Sequence, residues 1–166
     1  MVLRFWPPRI LSLAVGAGLW LAGCGGGTGQ PPGDDVAFLT CATETRAMPY
    51  QAGMSVMSQT GAFTVKLLSS TPGPPIKGQN SWVVEIDDSA SGAPLDQVEL
   101  TASPFMPDHQ HPTTRRVVVT EAGSGTYSLN PVYLYMSGYW EVRLNIAAAT
   151  VASGAPDVAM IPICIP

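Results

Sequence analysis

No apolar run in this sequence reaches the roughly 20 residues that a membrane-spanning helix needs. The longest candidate, residues 10–21, stops at about a dozen, which disfavours a permanent transmembrane anchor. Charge is also scarce, at 12% of residues. Once Arg4 and Arg9 are set aside with the N-terminal segment, 6 basic residues face 12 acidic ones, a balance near −6. That balance argues against nucleic acid as a partner and against electrostatic adhesion to anionic lipid. No helical periodicity of useful length is present, and Gly and Pro together supply 17 + 16 = 33 of 166 residues. Such a chain turns often and cannot be dominated by long helices. Catalytic signatures are absent too. There is no Gly-x-Ser-x-Gly elbow, no Cys-His pairing and no Gly-rich loop opening a helix. Asp87-Asp88, followed by Ser89-Ala90-Ser91-Gly92, reads as a hairpin turn rather than as paired carboxylates. No enzyme is expected.

What the N-terminus does contain is ordered like an export signal. Arg4 and Arg9 give a basic start, the apolar run follows, and Ala22 and Gly23 close it. Leu21-Ala22-Gly23-Cys24 resembles the bacterial lipobox, which implies cleavage before Cys24 and acylation of its thiol and new amine. Ordinary secretion with a free Cys24 thiol is the competing reading. Residues 25–35 are polar and Gly/Pro-rich, unable to bury a core, and are expected to form a flexible tether. The expected organisation is a signal peptide over 1–23, a lipidated tether over 24–35 and one domain over 36–166. The implied location is the cell envelope, with the outer membrane facing the periplasm favoured because Gly25 supplies no aspartate after the lipidated cysteine.

Acylation of Cys24 leaves Cys41 and Cys164. In an exported chain that even pair is expected to form a disulfide. The alternative, a thiolate metal site, lacks a histidine or second cysteine near either residue.

The domain itself reads as short alternating runs divided by turn chemistry. Seven strands are expected, over 62–68, 81–87, 97–102, 115–120, 126–135, 138–147 and 157–165, with residues 103–114 as a loop. Residues 46–59 form either a turn of helix or an extended edge. The even positions of 139–146 are apolar, so Trp140 should point inward, as should Trp82, Val84 and Ile86 on an earlier strand. The fold class expected is all-β, an immunoglobulin-like antiparallel β-sandwich of about seven strands.

One segment concentrates ligand chemistry. Both histidines of the chain fall in Met106-Pro107-Asp108-His109-Gln110-His111-Pro112. On an extended backbone, residues two apart share a side, so His109 and His111 could face one ion while Gln110 points away. Asp108 could add an oxygen or orient an imidazole. Thioethers of Met106 or Met136 would add a preference for reduced copper. The competing reading is a solvated loop stiffened by Pro107 and Pro112, with methionine serving as ordinary core filler.

Several motifs, in order, resemble the YtkA-like domain family, related to FixH-type proteins. They are Gly78-Gln79-Asn80-Ser81-Trp82, Gly92-Ala93-Pro94-Leu95, Met106 to His111, Gly125-Thr126-Tyr127, and Met136-Ser137-Gly138-Tyr139-Trp140-Glu141-Val142. The family pattern is similar to Met-Pro-x-His-Gly-His and Met-Pro-Gly-x-Trp. Here Gln110 stands for the middle glycine and Ser137 for the second proline. The resemblance implies an exported, membrane-associated immunoglobulin-like domain, with copper handling the natural first expectation. Met106, His109, His111 and Met136 would take up the ion and pass it on by ligand exchange. The rival expectation is an envelope structural or protein-interaction domain without metal.

Overall fold

The computed structural model describes residues 41–149 and 156–166, which belong to one compact unit. The expected signal peptide, Cys24 and the tether lie outside the described residues. Among the described residues nine strands form two antiparallel sheets. They are β1 (Met54–Met57), β2 (Phe63–Thr71), β3 (Gly78–Asp88), β4 (Glu99–Met106), β5 (His111–Pro112), β6 (Val118–Gly123), β7 (Thr126–Leu134), β8 (Gly138–Ala147) and β9 (Asp157–Ile165). One sheet runs β1-β2-β3-β7-β6 and the other β5-β4-β8-β9. The sandwich class matches the sequence expectation, and the immunoglobulin-like description fits its two antiparallel layers.

The alternation that predicts the strands also builds the core. Phe63, Val65, Leu67, Trp82, Val84 and Ile86 from one sheet face Trp140, Val142, Leu144, Ile146, Ile161 and Ile163 from the other, all essentially without exposure. Two strands change phase midway. On β7 the buried positions pass from Tyr127 and Leu129 to Val132 and Leu134, and the register against β3 slips at the same point. The slip absorbs Asn130-Pro131, so a proline inside a central strand leaves the inner face continuous.

The strands differ from expectation where proline was read as a turn. Residues 103–106 belong to β4, not to a loop. Pro104 sits opposite Val142, and its carbonyl accepts a hydrogen bond from Thr113 N on the side away from β8. Its nitrogen faces that same side, so the missing N–H breaks no rung of the β4–β8 ladder. β6 likewise starts three residues later than expected and continues to Gly123. In the 46–59 segment the extended alternative holds, because Met54–Met57 pairs with β2 as an edge strand.

Two side chains fasten the crossings between sheets. Tyr127 Oη donates to Leu95 O and accepts from Val98 N, tying down the segment that carries the chain from β3 to β4. Asp157, buried, accepts from Thr60 N and Oγ1 and from Val158 N. Burial alone would raise its pKa, but the hydrogen bonds outweigh burial and hold the carboxyl below its ordinary range. The disulfide Cys41–Cys164 joins the start of the described domain to the last strand, Cα atoms 5.4 Å apart, across 123 residues of sequence. In a chain-entropy account, closing a loop of that length stabilises by about 4–5 kcal/mol.

Candidate functional site

The strand directions place residues 41–53, 71–78, 107–117 and 135–138 at one end of the sandwich. Both histidines sit there. Pro107–His109 forms a single 3-10 turn, Gln110 follows with a left-handed backbone (φ 54°), and His111 opens β5. The premise that 108–112 is extended is therefore corrected: Pro107 presets helical φ, and the chain must reverse within a few residues to pair Met106 with His111. The two imidazoles still approach, with ring centroids 5.6 Å apart. They do so through the turn and the left-handed residue, not through strand alternation. Left-handed backbone is also where glycine costs least, which accounts for the glycine that the family pattern carries at the position of Gln110.

His111 is held from several sides. The Tyr135 ring stacks on it at 5.4 Å, and Tyr135 Oη lies 2.9 Å from its Nδ1 and 3.3 Å from Nε2. The hydroxyl is thus within reach of both ring nitrogens, and the tautomer of His111 decides which one it engages. Trp140 approaches edge-on at 6.3 Å, and its indole N–H donates to Met136 O. Tyr135 and Trp140 pack at 5.6 Å, so His111, Tyr135 and Trp140 form one mutual aromatic contact.

The thioethers divide. Met106, directly opposite His111 on the β4–β5 pair, is only 3% exposed and belongs to the core. Its Cε lies 2.8 Å from where a Cβ on Gly138 would stand. Met136 is partly buried, packed on the core beside Trp140. Asp108 is drawn away from the imidazoles: both its oxygens accept from Arg46, at 2.7 and 2.8 Å, and Arg46 also grips Glu44. The Arg46 guanidinium holds the Asp108 and Glu44 carboxyls below their ordinary range. It lies 4.2 Å over the Tyr139 ring, and Tyr139 pairs with Cys164 across β8–β9. The disulfide, the 44–46 strap and the histidine turn are thus connected through successive contacts.

Among the described residues no group of three His, Cys, Asp or Glu side chains could hold an ion. The donor set is two imidazoles with thioethers nearby, which fits a soft, low-coordinate cation better than a tetrahedral zinc centre. Sequence reasoning named His109, His111, Met106 and Met136 as candidates but not Arg46, Tyr135 or the role of Trp140. Arg46 lies 62 residues from Asp108, and no local pattern reports such a pair. Tyr135 carried a weak signal, being the last residue of an alternating strand next to Met136.

No curated protein matches this chain, and no solved structure does. The model of one family, described as YtkA-like, matches residues 57–145. That span takes in the end of β1, all of β2 to β7 and most of β8, and with them both histidines, Met106, Met136, Tyr135 and Trp140. Arg46 and both disulfide cysteines fall outside it. With more than half its length matched, the chain belongs to the YtkA-like family.

Proposed function

We propose that this protein is an exported, lipid-anchored envelope module that binds copper as Cu(I) at its histidine end and passes it on by ligand exchange. The observation that carries the reading is the approach of His109 and His111, with His111 fixed by Tyr135. His109 is exposed and His111 half-buried, so one ligand is open to a partner while the other is preset. Met136, only partly buried, is the candidate for a thioether, and Met106 would join only if its side chain left the core. A two-imidazole, thioether-assisted set gives a site that can load and release, as a carrier requires, and no chemistry on a substrate is involved. Acylation of Cys24 would keep the carrier at a membrane, since two or more chains give durable anchoring.

The test is a titration of the protein with Cu(I) and Cu(II) against competing chelators. His109→Ala with His111→Ala should weaken Cu(I) binding at least about a hundredfold. Unchanged affinity in that variant sinks the site. A reading without metal, as an envelope structural or interaction domain, is favoured by the lack of a third convergent ligand and by Arg46 holding Asp108. Failure to take up copper in either oxidation state would decide for it. Acylation is read separately, from the mass of the Cys24 peptide in membrane-extracted protein.

A further inference from the structure

The charges of the domain are sorted by end. Lys77, Arg115 and Arg116 all lie at the histidine end, all exposed, and none has an acidic partner among the described residues. Lys77 precedes Gly78, which pairs with Leu134, and Arg115 lies 4.4 Å over the Tyr133 ring, so two of the cations share one corner. Ile76, beside Lys77, is exposed too. Arg46 adds a fourth cation but is matched by Glu44 and Asp108. The count at this end is four basic against two acidic, still positive if the Pro166 carboxylate is included. The opposite end carries Asp88, Asp96, Glu99, Glu121 and Asp157 with no Lys or Arg. The remaining cations, Lys66 and Arg143, sit mid-strand in ion pairs with Glu85, Asp87 and Glu141.

Net charge near −6 therefore misdescribes what a flat surface would meet. Strands of 9 to 11 residues separate the two ends, a distance of about 30 Å at 3.3 Å per residue. That exceeds three Debye lengths of about 8–10 Å at physiological salt, so the acidic end is screened from anything touching the basic one.

We infer that the histidine end is a docking surface for the anionic phospholipid headgroups of the leaflet that holds the anchor, with Lys77, Arg115 and Arg116 as its contacts. For its partner this rests on the lipid-anchored reading. Two observations select a membrane. The chain enters the described domain at Cys41, on this same end, only 17 residues after Cys24. A domain polarised in this way would also turn its acidic end outward over an anionic leaflet. Docked so, the histidine turn faces the bilayer, where a membrane-embedded donor or acceptor of the ion would be met.

The experiment uses the chain from Cys24 onward with Cys24→Ser, disulfide formed, and vesicles of phosphatidylcholine with or without phosphatidylglycerol. At about fivefold per cation near an anionic surface, three cations should favour the anionic vesicles by tenfold to about a hundredfold. The preference should fade as salt is raised. Lys77→Gln, Arg115→Gln and Arg116→Gln together should abolish it, and exposed, unpaired side chains leave the fold intact on replacement. Asp34→Asn with Asp35→Asn, removing two carboxylates from the expected tether, should strengthen it. Equal partition onto both vesicle types overturns the proposal. So does a preference that survives the triple replacement, and so does capture of an acidic polypeptide by the same cations without vesicle preference. Because this chain carries no acyl group, a negative result leaves acylation of Cys24 standing, and an unacylated Cys24 peptide leaves a positive vesicle result standing.

Discussion

Gly138→Ala should destabilise the domain by about 1.5–4 kcal/mol, mostly through backbone strain. Gly138 opens β8 with φ 120°, a region that side chains of L-residues rarely enter. Holding alanine there costs about 1–3 kcal/mol. The new methyl would also stand 2.8 Å from Met106 Cε. Methionine is flexible, so this contact adds less than a rigid clash, about 0.5–1 kcal/mol, although Met106 has little free space around it. A double-mutant cycle separates the two. Met106→Ala alone costs about 2–4 kcal/mol as a buried truncation. Combined with Gly138→Ala, the total should fall short of the sum by the contact, about 0.5–1 kcal/mol. Equilibrium urea unfolding with the disulfide intact is the assay, with an unchanged m-value showing that the native state carries the effect. A Gly138→Ala protein within about 0.5 kcal/mol of the parent would refute the strain argument. Strict additivity in the cycle would refute the Met106 contact.

Three further outcomes follow from the same geometry. Replacing Cys41 and Cys164 together by Ser should cost about 2–5 kcal/mol in unfolding free energy; a loss under 1 kcal/mol would mean that the unfolded chain gains little from release of the link. Asp157 has a depressed pKa, so its contribution is present above the ordinary carboxyl value of 3.8 and is lost as pH falls through its lower folded value. Asp157→Asn should therefore lower stability at neutral pH and flatten its decline in acid, and a parallel decline in both proteins would contradict this. Gln110→Gly relieves left-handed strain while adding unfolded-state entropy, so thermal unfolding should show a change between zero and a gain of about 1 kcal/mol; a loss beyond that would mean that the Gln110 side chain holds the turn.

How far the fold could be read depended on whether neighbouring side chains or distant ones set each element. β8 was legible because its alternation is uninterrupted from Trp140 to Ile146 and both of its neighbours are long strands. The Cys41–Cys164 link was legible by elimination once Cys24 was set apart. β4 was half lost because Ser103-Pro104 has turn chemistry, and only the identity of its neighbours makes proline harmless there. β1 was ambiguous for the opposite reason: four residues carry too little pattern, and its pairing with β2 is a tertiary fact.

The histidine turn shows the same division in one place. Its candidate ligands could be named from residue type because the two histidines of the chain stand two residues apart. Their approach was expected on the wrong ground, an extended backbone, when a 3-10 turn and a left-handed residue bring the rings together. What presets the pair was not legible at all. Tyr135 comes from just past the end of β7 and Arg46 from the strap secured by the disulfide, and each reaches the turn through space. Asp108 is the clearest case: beside His109 in sequence it reads as a ligand or an imidazole partner, yet a guanidinium 62 residues away takes both of its oxygens. Its engagement by Arg46 anchors the turn to the strap, so Asp108 serves the fold of the turn and not the imidazoles beside it. Under the proposed carrier reading that separation would matter, since groups that fix the loop could not also be exchanged with a partner each time an ion moved.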